Sequence, residues 1–229
     1  SLWNVWNDNT QADTSLLKAM HKIAVDGYLY SKPDSAFYFA QLQYDLAESV
    51  NKKKQMSTAL NTQGASFYFK GDLAKAIDYY TKSLKIREEL GNKIGIAMSL
   101  GNIGVIYEKQ GNYANAIEYY ARSLKIREET GDKKGIASTL NNIGNIYHRQ
   151  GNYKKAMYYF SRSLKIREEI GNKKDIAQSL NNIGNIYDDQ GDYAKALDYH
   201  TKSLKIKEEI VDKRGIAISL NNIGAIYSD

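Results

Sequence analysis

Apolar residues recur at helical intervals through most of the chain. One stripe has the spacing i, i+4, i+7 and i+11 and consists of Ile96, Leu100, Ile103 and Tyr107. After a break at Gly111 and Asn112, a second stripe consists of Tyr113, Ala116, Ile117, Tyr120, Leu124 and Ile126. Such spacing places apolar side chains on one face of a helix, and glycine suits the residue after a helix end. The pattern therefore predicts two helices joined by a short turn.

This two-helix unit repeats every 40 residues, because the segment SLKIREE occurs at 83–89, 123–129 and 163–169 and returns as SLKIKEE at 203–209. One hairpin leaves its apolar face exposed, whereas stacked hairpins cover it, so the repetition predicts an all-α solenoid. We predict a non-repeat segment at 1–14 and a degenerate repeat or N-terminal cap at 15–54. Four full repeats follow at 55–94, 95–134, 135–174 and 175–214, and residues 215–229 form the first helix of a truncated repeat.

Small residues recur at fixed positions of the unit. The first helix carries a central glycine, at Gly64, Gly104, Gly144, Gly184 and Gly224. A helical glycine costs about 1 kcal/mol relative to alanine, so its repetition indicates a packing requirement. The second helix carries an alanine, at Ala76, Ala116, Ala156 and Ala196. We expect the two backbones to approach each other closely at these residues.

The order of these residues resembles the signature of the tetratricopeptide repeat family. Leu100-x2-Ile103-Gly104-x2-Tyr107, followed by Ala116-x3-Tyr120, matches it with leucine for the usual tryptophan and tyrosine for phenylalanine. The unit has 40 residues instead of 34 and lacks the usual proline, as in spindle adaptors, kinesin light chains and bacterial signalling arrays. The resemblance implies a right-handed superhelical α-solenoid whose first helices line a concave groove. It also implies an adaptor or sensory module, part of a larger protein, that binds a protein or an extended peptide.

Asparagines occupy the positions that this resemblance places in the groove. They are Asn102, Asn141, Asn142, Asn145, Asn181, Asn182, Asn185 and Asn222. Because an amide both donates and accepts hydrogen bonds, such a column can bind the N–H and C=O groups of an extended peptide. The alternative is a merely hydrophilic wall that was inherited through repeat duplication.

Charged residues one turn beyond the asparagines differ between repeats and are predicted to determine specificity. They are Lys109, His148, Arg149, Asp188 and Asp189. The groove would change from mixed or basic to acidic, which suits a peptide carrying charges of both signs. The family members that bind a terminal carboxylate use lysine and arginine beside asparagine, whereas the matching positions here hold asparagine and glycine.

Composition excludes several classes of site. The chain has no cysteine, which removes disulfides, thiolate metal sites and cysteine nucleophiles. Its histidines, His21, His148 and His200, are far apart in sequence, and His200 replaces an aromatic residue of other repeats, so we expect it to pack. We predict no enzyme activity, no catalytic residue, no metal site and no cofactor. The net charge of +6 leaves RNA binding as an alternative function, although Asp188 and Asp189 disfavour it. A second alternative is a structural or oligomerisation spacer without a ligand in its groove.

The two ends differ from the repeats. Trp3 and Trp6 are expected to cap the apolar edge of the first hairpin, and Ile223, Ile226 and Tyr227 are expected to stay half covered in an unpaired helix. This second expectation suggests a fragment that can self-associate at its C-terminal end. The chain has no run of 18 apolar residues, so we predict no membrane contact. A cytoplasmic location is favoured, and a periplasmic sensor region is the alternative.

Overall fold

The computed structural model describes residues 13–228, and within that range it contains helices and turns but no strand. The helices are α1 (Asp13–Lys22), with a π-helical continuation (Ile23–Tyr28), α2 (Pro33–Ser49), α3 (Lys53–Lys70), α4 (Leu73–Glu89), α5 (Lys93–Lys109), α6 (Tyr113–Thr130), α7 (Lys133–Arg149), α8 (Tyr153–Ile170), α9 (Lys173–Asp189), α10 (Tyr193–Glu209) and α11 (Lys213–Ile226). The predicted all-α fold of helix-turn-helix repeats is confirmed. The exact domain boundaries stay a prediction.

The described residues form two compact units, one extending to Ile126 and one beginning at Arg127. In the N-terminal unit, α2 packs on α3, α3 on α4, and α4 on α5. In the C-terminal unit, α7 packs on α8, α8 on α9, α9 on α10, and α10 on α11. Each unit is therefore a series of antiparallel neighbours in chain order, as expected for stacked hairpins.

Short polar turns set the ends of the helices. Asp212 caps α11, since its Oδ1 accepts a hydrogen bond of 3.0 Å from the backbone N–H of Gly215. The preceding turns carry glycine at positive φ, such as Gly171 at 76°. Two turns depart from this rule and place Asn51 at φ 53° and Val211 at φ 56°. A β-branched residue is strained in this left-handed region, so the turn before α11 is a local weakness.

In four of the first helices, the central glycine faces an aromatic ring of the second helix. A methyl group on Gly144 would lie 2.6 Å from Cε1 of Phe160, well inside van der Waals contact. The same arrangement joins three further pairs: Gly64 with Tyr80, Gly104 with Tyr120, and Gly184 with His200. The packing role predicted for these glycines thus has a ring of the second helix as its partner, whereas the expected close approach of the two backbones stays a prediction. The predicted alanines are fully buried in the same hairpins: Ala76, Ala116, Ala156 and Ala196.

The arginine is buried in two of the three SLKIREE segments, which the sequence interpretation missed. Arg87 and Arg167 are 4% and 5% exposed. Nη1 of Arg167 donates to the backbone O of Asp175 at 2.9 Å and to Oγ of Ser179 at 2.8 Å, and so links α8 to α9. Burial lowers the pKa of Arg87 to about 10. The neighbouring columns are exposed, as expected for a solvated surface: Lys85, Lys125, Lys165, Lys205, Glu88, Glu128, Glu168 and Glu208.

The predictions for the two ends have different outcomes. Trp3 and Trp6 lie outside the described residues. At the C-terminal end, Ile223 is half-buried as expected, whereas Ile226 is 7% exposed and Tyr227 is 77% exposed. Self-association through this helix stays a prediction. Among residues 13–228, every helix is too short or too polar to cross a membrane.

Candidate functional site

The asparagines of the C-terminal unit lie on three first helices, α7, α9 and α11. We call this surface the amide face, and it consists of Asn141, Asn142, Asn145, Asn181, Asn182, Asn185 and Asn222. Within one helix, residues three or four apart share a side. The 40-residue period then brings the equivalent residues of successive first helices next to one another.

Hydrogen bonds connect these amides from one first helix to the next. Nδ2 of Asn182 donates to Oδ1 of Asn141 at 3.0 Å. Nδ2 of Asn222 donates to Oδ1 of Asn181 at 3.2 Å and to Oδ1 of Asn185 at 3.3 Å. The amide face is therefore a ladder of oriented amides and not a set of independent side chains.

The N-terminal unit contains one rung of the same kind. Nδ2 of Asn102 donates to Oδ1 of Asn61 at 2.9 Å, joining α5 to α3. The sequence interpretation selected Asn102 but missed Asn61, although Asn61 stands 41 residues earlier at the matching position. This spacing of 41 residues, which recurs in the C-terminal unit, is the sequence signal that could have identified the rung.

The prediction for Asn141 as a peptide contact needs correction. This side chain is 4% exposed, and its Oδ1 already accepts from Asn182. Asn142 and Asn145 are half-buried instead, and neither side chain has a hydrogen bond among residues 13–228. These two amides are the ones that keep their full capacity for a ligand.

The predicted specificity residues do not form separate basic and acidic patches. Nε2 of His148 lies 2.6 Å from Oδ2 of Asp189, so a basic and an acidic candidate pair across α7 and α9. Asp188 is half-buried, and Arg149 is exposed. In the C-terminal unit, His148 and Asp189 therefore engage each other, and the expected gradient from basic to acidic stays a prediction.

In the N-terminal unit, the specificity candidate Lys109 contacts an aromatic ring. Its Nζ lies 4.6 Å from the ring centre of Tyr68, which is a cation–π distance. The lysine therefore bridges α5 and α3 on the same side as the Asn61–Asn102 rung.

His200 is a packing residue, as the sequence predicted. Its ring is fully buried against Gly184, and neither ring nitrogen has a hydrogen-bond partner in the described part of the chain. Burial lowers the pKa of His200, which favours the neutral ring. Within residues 13–228 there is also no group of three metal-ligating side chains.

A cavity of about 450 Å³ adjoins the amide face at the first turns of α9 and α11. Asn181 and Asn182 line it together with several charged residues, the deepest of which is Lys207 from α10. Lys207 is 7% exposed. The sequence interpretation treated its segment as a solvated surface and did not select it.

Comparison with known proteins identifies the family to which this repeat architecture belongs. The family model described as tetratricopeptide repeat matches residues 55–129, 95–169, 135–209 and 175–229. The chain belongs to the tetratricopeptide repeat family. The starts of the four matches are spaced like the SLKIREE segments, so this member has the long, 40-residue type of repeat. No curated protein matches the chain.

Solved structures share the fold of this repeat protein at low sequence identity. BtubC (BKLC) from P. vanneervenii has a TM-score of 0.77 and 19% identity, over 91% of this chain and 86% of that one. A Rap protein complexed with Competence and Sporulation Factor has a TM-score of 0.70 and 16% identity, over 96% and 66%. NprR in complex with its cognate peptide NprX has a TM-score of 0.65 and 17% identity, over 93% and 61%. The chain thus spans less than two thirds of NprR.

Proposed function

We propose that this chain is a protein-interaction module whose amide face binds an extended peptide. The observation that carries the proposal is the pair Asn142 and Asn145, half-buried amides without an internal hydrogen bond, beside a ladder of paired amides. An extended peptide presents unpaired N–H and C=O groups along its length, and an asparagine side chain can bind both kinds.

The ladder makes this surface better suited to a peptide than free asparagines would be. The ladder donor Asn182 uses one N–H and keeps a second N–H and its Oδ1. Because the ladder fixes the orientation of these side chains, less conformational entropy is lost when a ligand binds. Hydrogen bonds to the peptide backbone would also tolerate different peptide side chains.

The structural neighbours support a peptide as the ligand class. Rap is described as complexed with Competence and Sporulation Factor, and NprR as bound to its cognate peptide NprX. By analogy, we extend the proposal to an adaptor or sensory part of a larger signalling protein, with no enzyme activity of its own.

The test is selection of linear peptides from a random phage-displayed library, followed by fluorescence polarisation with the selected peptides. Changing Asn142→Ala and Asn145→Ala together removes two hydrogen-bonding amides, each worth about 1 kcal/mol, so we expect affinity to fall about 30-fold. The matched control is Gln150→Ala, which removes an exposed amide just after α7. Circular dichroism should be the same for all three proteins.

Two results would reject this function. Selected peptides could bind the double variant as tightly as the original chain, or the library could yield no specific peptide at all. Tight, salt-sensitive binding of single-stranded RNA in the same assay would instead favour the nucleic-acid alternative.

A further inference from the structure

The second helix α8 differs in charge from the other second helices at five positions of the repeat. These positions hold two lysines and two aspartates in α4 and in α10, and one arginine and one glutamate in α6, so their net charge is zero in three repeats. In α8 they hold three cations and no carboxylate, which gives +3. The excess charge is therefore a property of one repeat and not of the repeat pattern. The five residues are Asp72, Ala74, Lys75, Asp78 and Lys82 for α4; Asn112, Ala114, Asn115, Glu118 and Arg122 for α6; Asn152, Lys154, Lys155, Tyr158 and Arg162 for α8; and Asp192, Ala194, Lys195, Asp198 and Lys202 for α10.

Carboxylates neutralise the lysines at these positions of α10. Nζ of Lys195 lies 2.6 Å from Oδ2 of Asp192. Nζ of Lys202 lies 2.6 Å from Oδ2 of Asp198. The equivalent pairs of α4 are Lys75–Asp72 at 3.2 Å and Lys82–Asp78 at 2.6 Å. In α8 an asparagine and a tyrosine replace both aspartates, so two cations lose the carboxylate that their equivalents have.

The cations of α8 have weaker partners instead. Nζ of Lys155 lies 4.8 Å from the ring centre of Tyr147, and no carboxylate of residues 13–228 lies within 4.0 Å of this nitrogen. Cζ of Arg162 lies 5.6 Å from the ring centre of Tyr158, and Nη1 donates to the hydroxyl of that ring at 3.4 Å. Nη2 of Arg162 also lies 3.3 Å from Oε1 of Glu128, but an exposed ion pair of this kind contributes little and can be exchanged for another.

Lys154, Lys155, Tyr158 and Arg162 form one surface, which we call the α8 patch. Residues three or four apart share a side of a helix, and Tyr158 stands four residues after Lys154 and four before Arg162. Both lysines are exposed, the ring of Tyr158 is 56% exposed, and the side chain of Arg162 is 41% exposed. The α8 patch therefore presents three cations and a hydroxyl group to solvent on one side of the helix.

The size and the surroundings of the α8 patch favour a short anionic partner. From Lys154 to Arg162 the helix rises about 12 Å, which an extended chain covers in about four residues. Beyond the patch, α8 carries the exposed carboxylates Glu168 and Glu169, and the equivalent positions of α10 are neutral in sum. A nucleic acid carries charge continuously along its length and requires a longer basic track. A short acidic segment of a protein fits the patch better.

We propose that the α8 patch is a second docking surface, which binds an acidic segment of about four residues, rich in Asp and Glu, of a partner protein. The guanidinium group of Arg162 offers paired N–H donors to one carboxylate, and the two lysines offer ammonium groups to others. The patch lies on a second helix, whereas the amide face consists of first helices, so this inference does not rest on the proposed function.

The experiment is an NMR titration of the ¹⁵N-labelled chain with acetyl-Glu-Glu-Glu-Glu-amide. Acetyl-Gln-Gln-Gln-Gln-amide is the neutral control, and pentauridylate, whose four phosphodiesters give it the same charge, tests a nucleic acid. We expect the acidic peptide to shift the backbone amide of Tyr158 at least about fivefold more than that of Asp198, the equivalent residue of α10. Helix α10 thus controls for unspecific attraction of the peptide to lysines.

Exchanging the charge pattern between α8 and α10 assigns the effect. The triple change Asn152→Asp, Lys154→Ala and Tyr158→Asp gives α8 the residues of α10 and should weaken binding of the acidic peptide about tenfold. The converse triple change, Asp192→Asn, Ala194→Lys and Asp198→Tyr, should create a second binding surface on α10. Each changed position is exposed or half-buried and receives a residue that an equivalent position already holds, so we expect both variants to fold. Circular dichroism verifies this.

Four outcomes would overturn the inference: equal binding of the glutamine peptide, equal shifts in α8 and α10, unchanged affinity of the triple variant of α8, or tighter binding of pentauridylate than of the acidic peptide. A peptide selected on the amide face should bind this triple variant as tightly as the original chain, and its loss would show that the two surfaces are not separate. Binding of the acidic peptide to α8 without any asparagine-dependent peptide would support the α8 patch and reject the proposed function.

Discussion

The glycine in the middle of each first helix offers a matched pair of substitutions with opposite expected effects. In Gly144→Ala, the new methyl group would lie 2.6 Å from Cε1 and 2.7 Å from Cδ1 of Phe160. That ring is 1% exposed and cannot swing into solvent. In Gly224→Ala, at the same position of the repeat, no described side chain lies within 4 Å of the new methyl group.

The magnitudes follow from two opposing terms. Alanine gains about 1 kcal/mol over glycine in a helix, whereas an extra methyl group in a packed core costs about 1–3 kcal/mol. We expect Gly144→Ala to lower the free energy of unfolding by about 1 kcal/mol and Gly224→Ala to raise it by up to about 1 kcal/mol. For a chain of this length, a difference of about 2 kcal/mol corresponds to a difference in Tm of about 4–8 °C.

Thermal and guanidinium unfolding, followed by circular dichroism at 222 nm, measures both variants under the same conditions. The expected order of Tm is Gly224→Ala, the original chain, then Gly144→Ala. If both variants were stabilised equally, the ring contact would not be the reason for the glycine, and helix propensity alone would account for the data.

Three further predictions concern buried or strained residues. Burial lowers the pKa of His200 in the folded chain, so as the pH falls this ring is protonated in the unfolded chain before it is protonated in the folded one, and stability is lost below about pH 6.5. His200→Phe, which introduces the residue that the equivalent position 160 carries, should reduce this loss. Urea unfolding between pH 7 and 5 measures it. Val211→Gly should raise the free energy of unfolding by up to about 1 kcal/mol, because Val211 has a φ of 56°, and an unchanged Tm would contradict the strain. Arg167→Ala should cost about 2–3 kcal/mol, since it removes hydrogen bonds from a buried cation, whereas Arg167→Met, which keeps most of the volume, should cost less in the same measurement.

Periodicity and turn chemistry were sufficient to predict the hairpins. The stripe around Leu100 and Ile103 indicates which face is buried, and glycine followed by asparagine or aspartate indicates where a helix ends. The ring opposite each central glycine was harder to predict, because it depends on how far the two helices are offset. The sequence gives the residues of such a contact but not the distance between them.

The amide face also shows that a sequence pattern does not give the distances between helices. The sequence identifies a column of asparagines, but the rung from Asn182 to Asn141 depends on the separation of two first helices, which no local pattern reports. Periodicity also hides buried charge when a segment is rich in charged residues. Arg87 lies three residues after Leu84 and therefore shares its face, and this spacing is the signal that could have revealed its burial.

The central claim is that Asn142 and Asn145 contact the backbone of a bound peptide. The most direct test is an NMR titration of the ¹⁵N-labelled chain with a selected peptide, following the side-chain NH₂ resonances of these two asparagines. Both resonances should shift in step with binding, while that of Gln150 stays in place. Saturating, specific peptide binding that leaves the Asn142 and Asn145 resonances unmoved would contradict it.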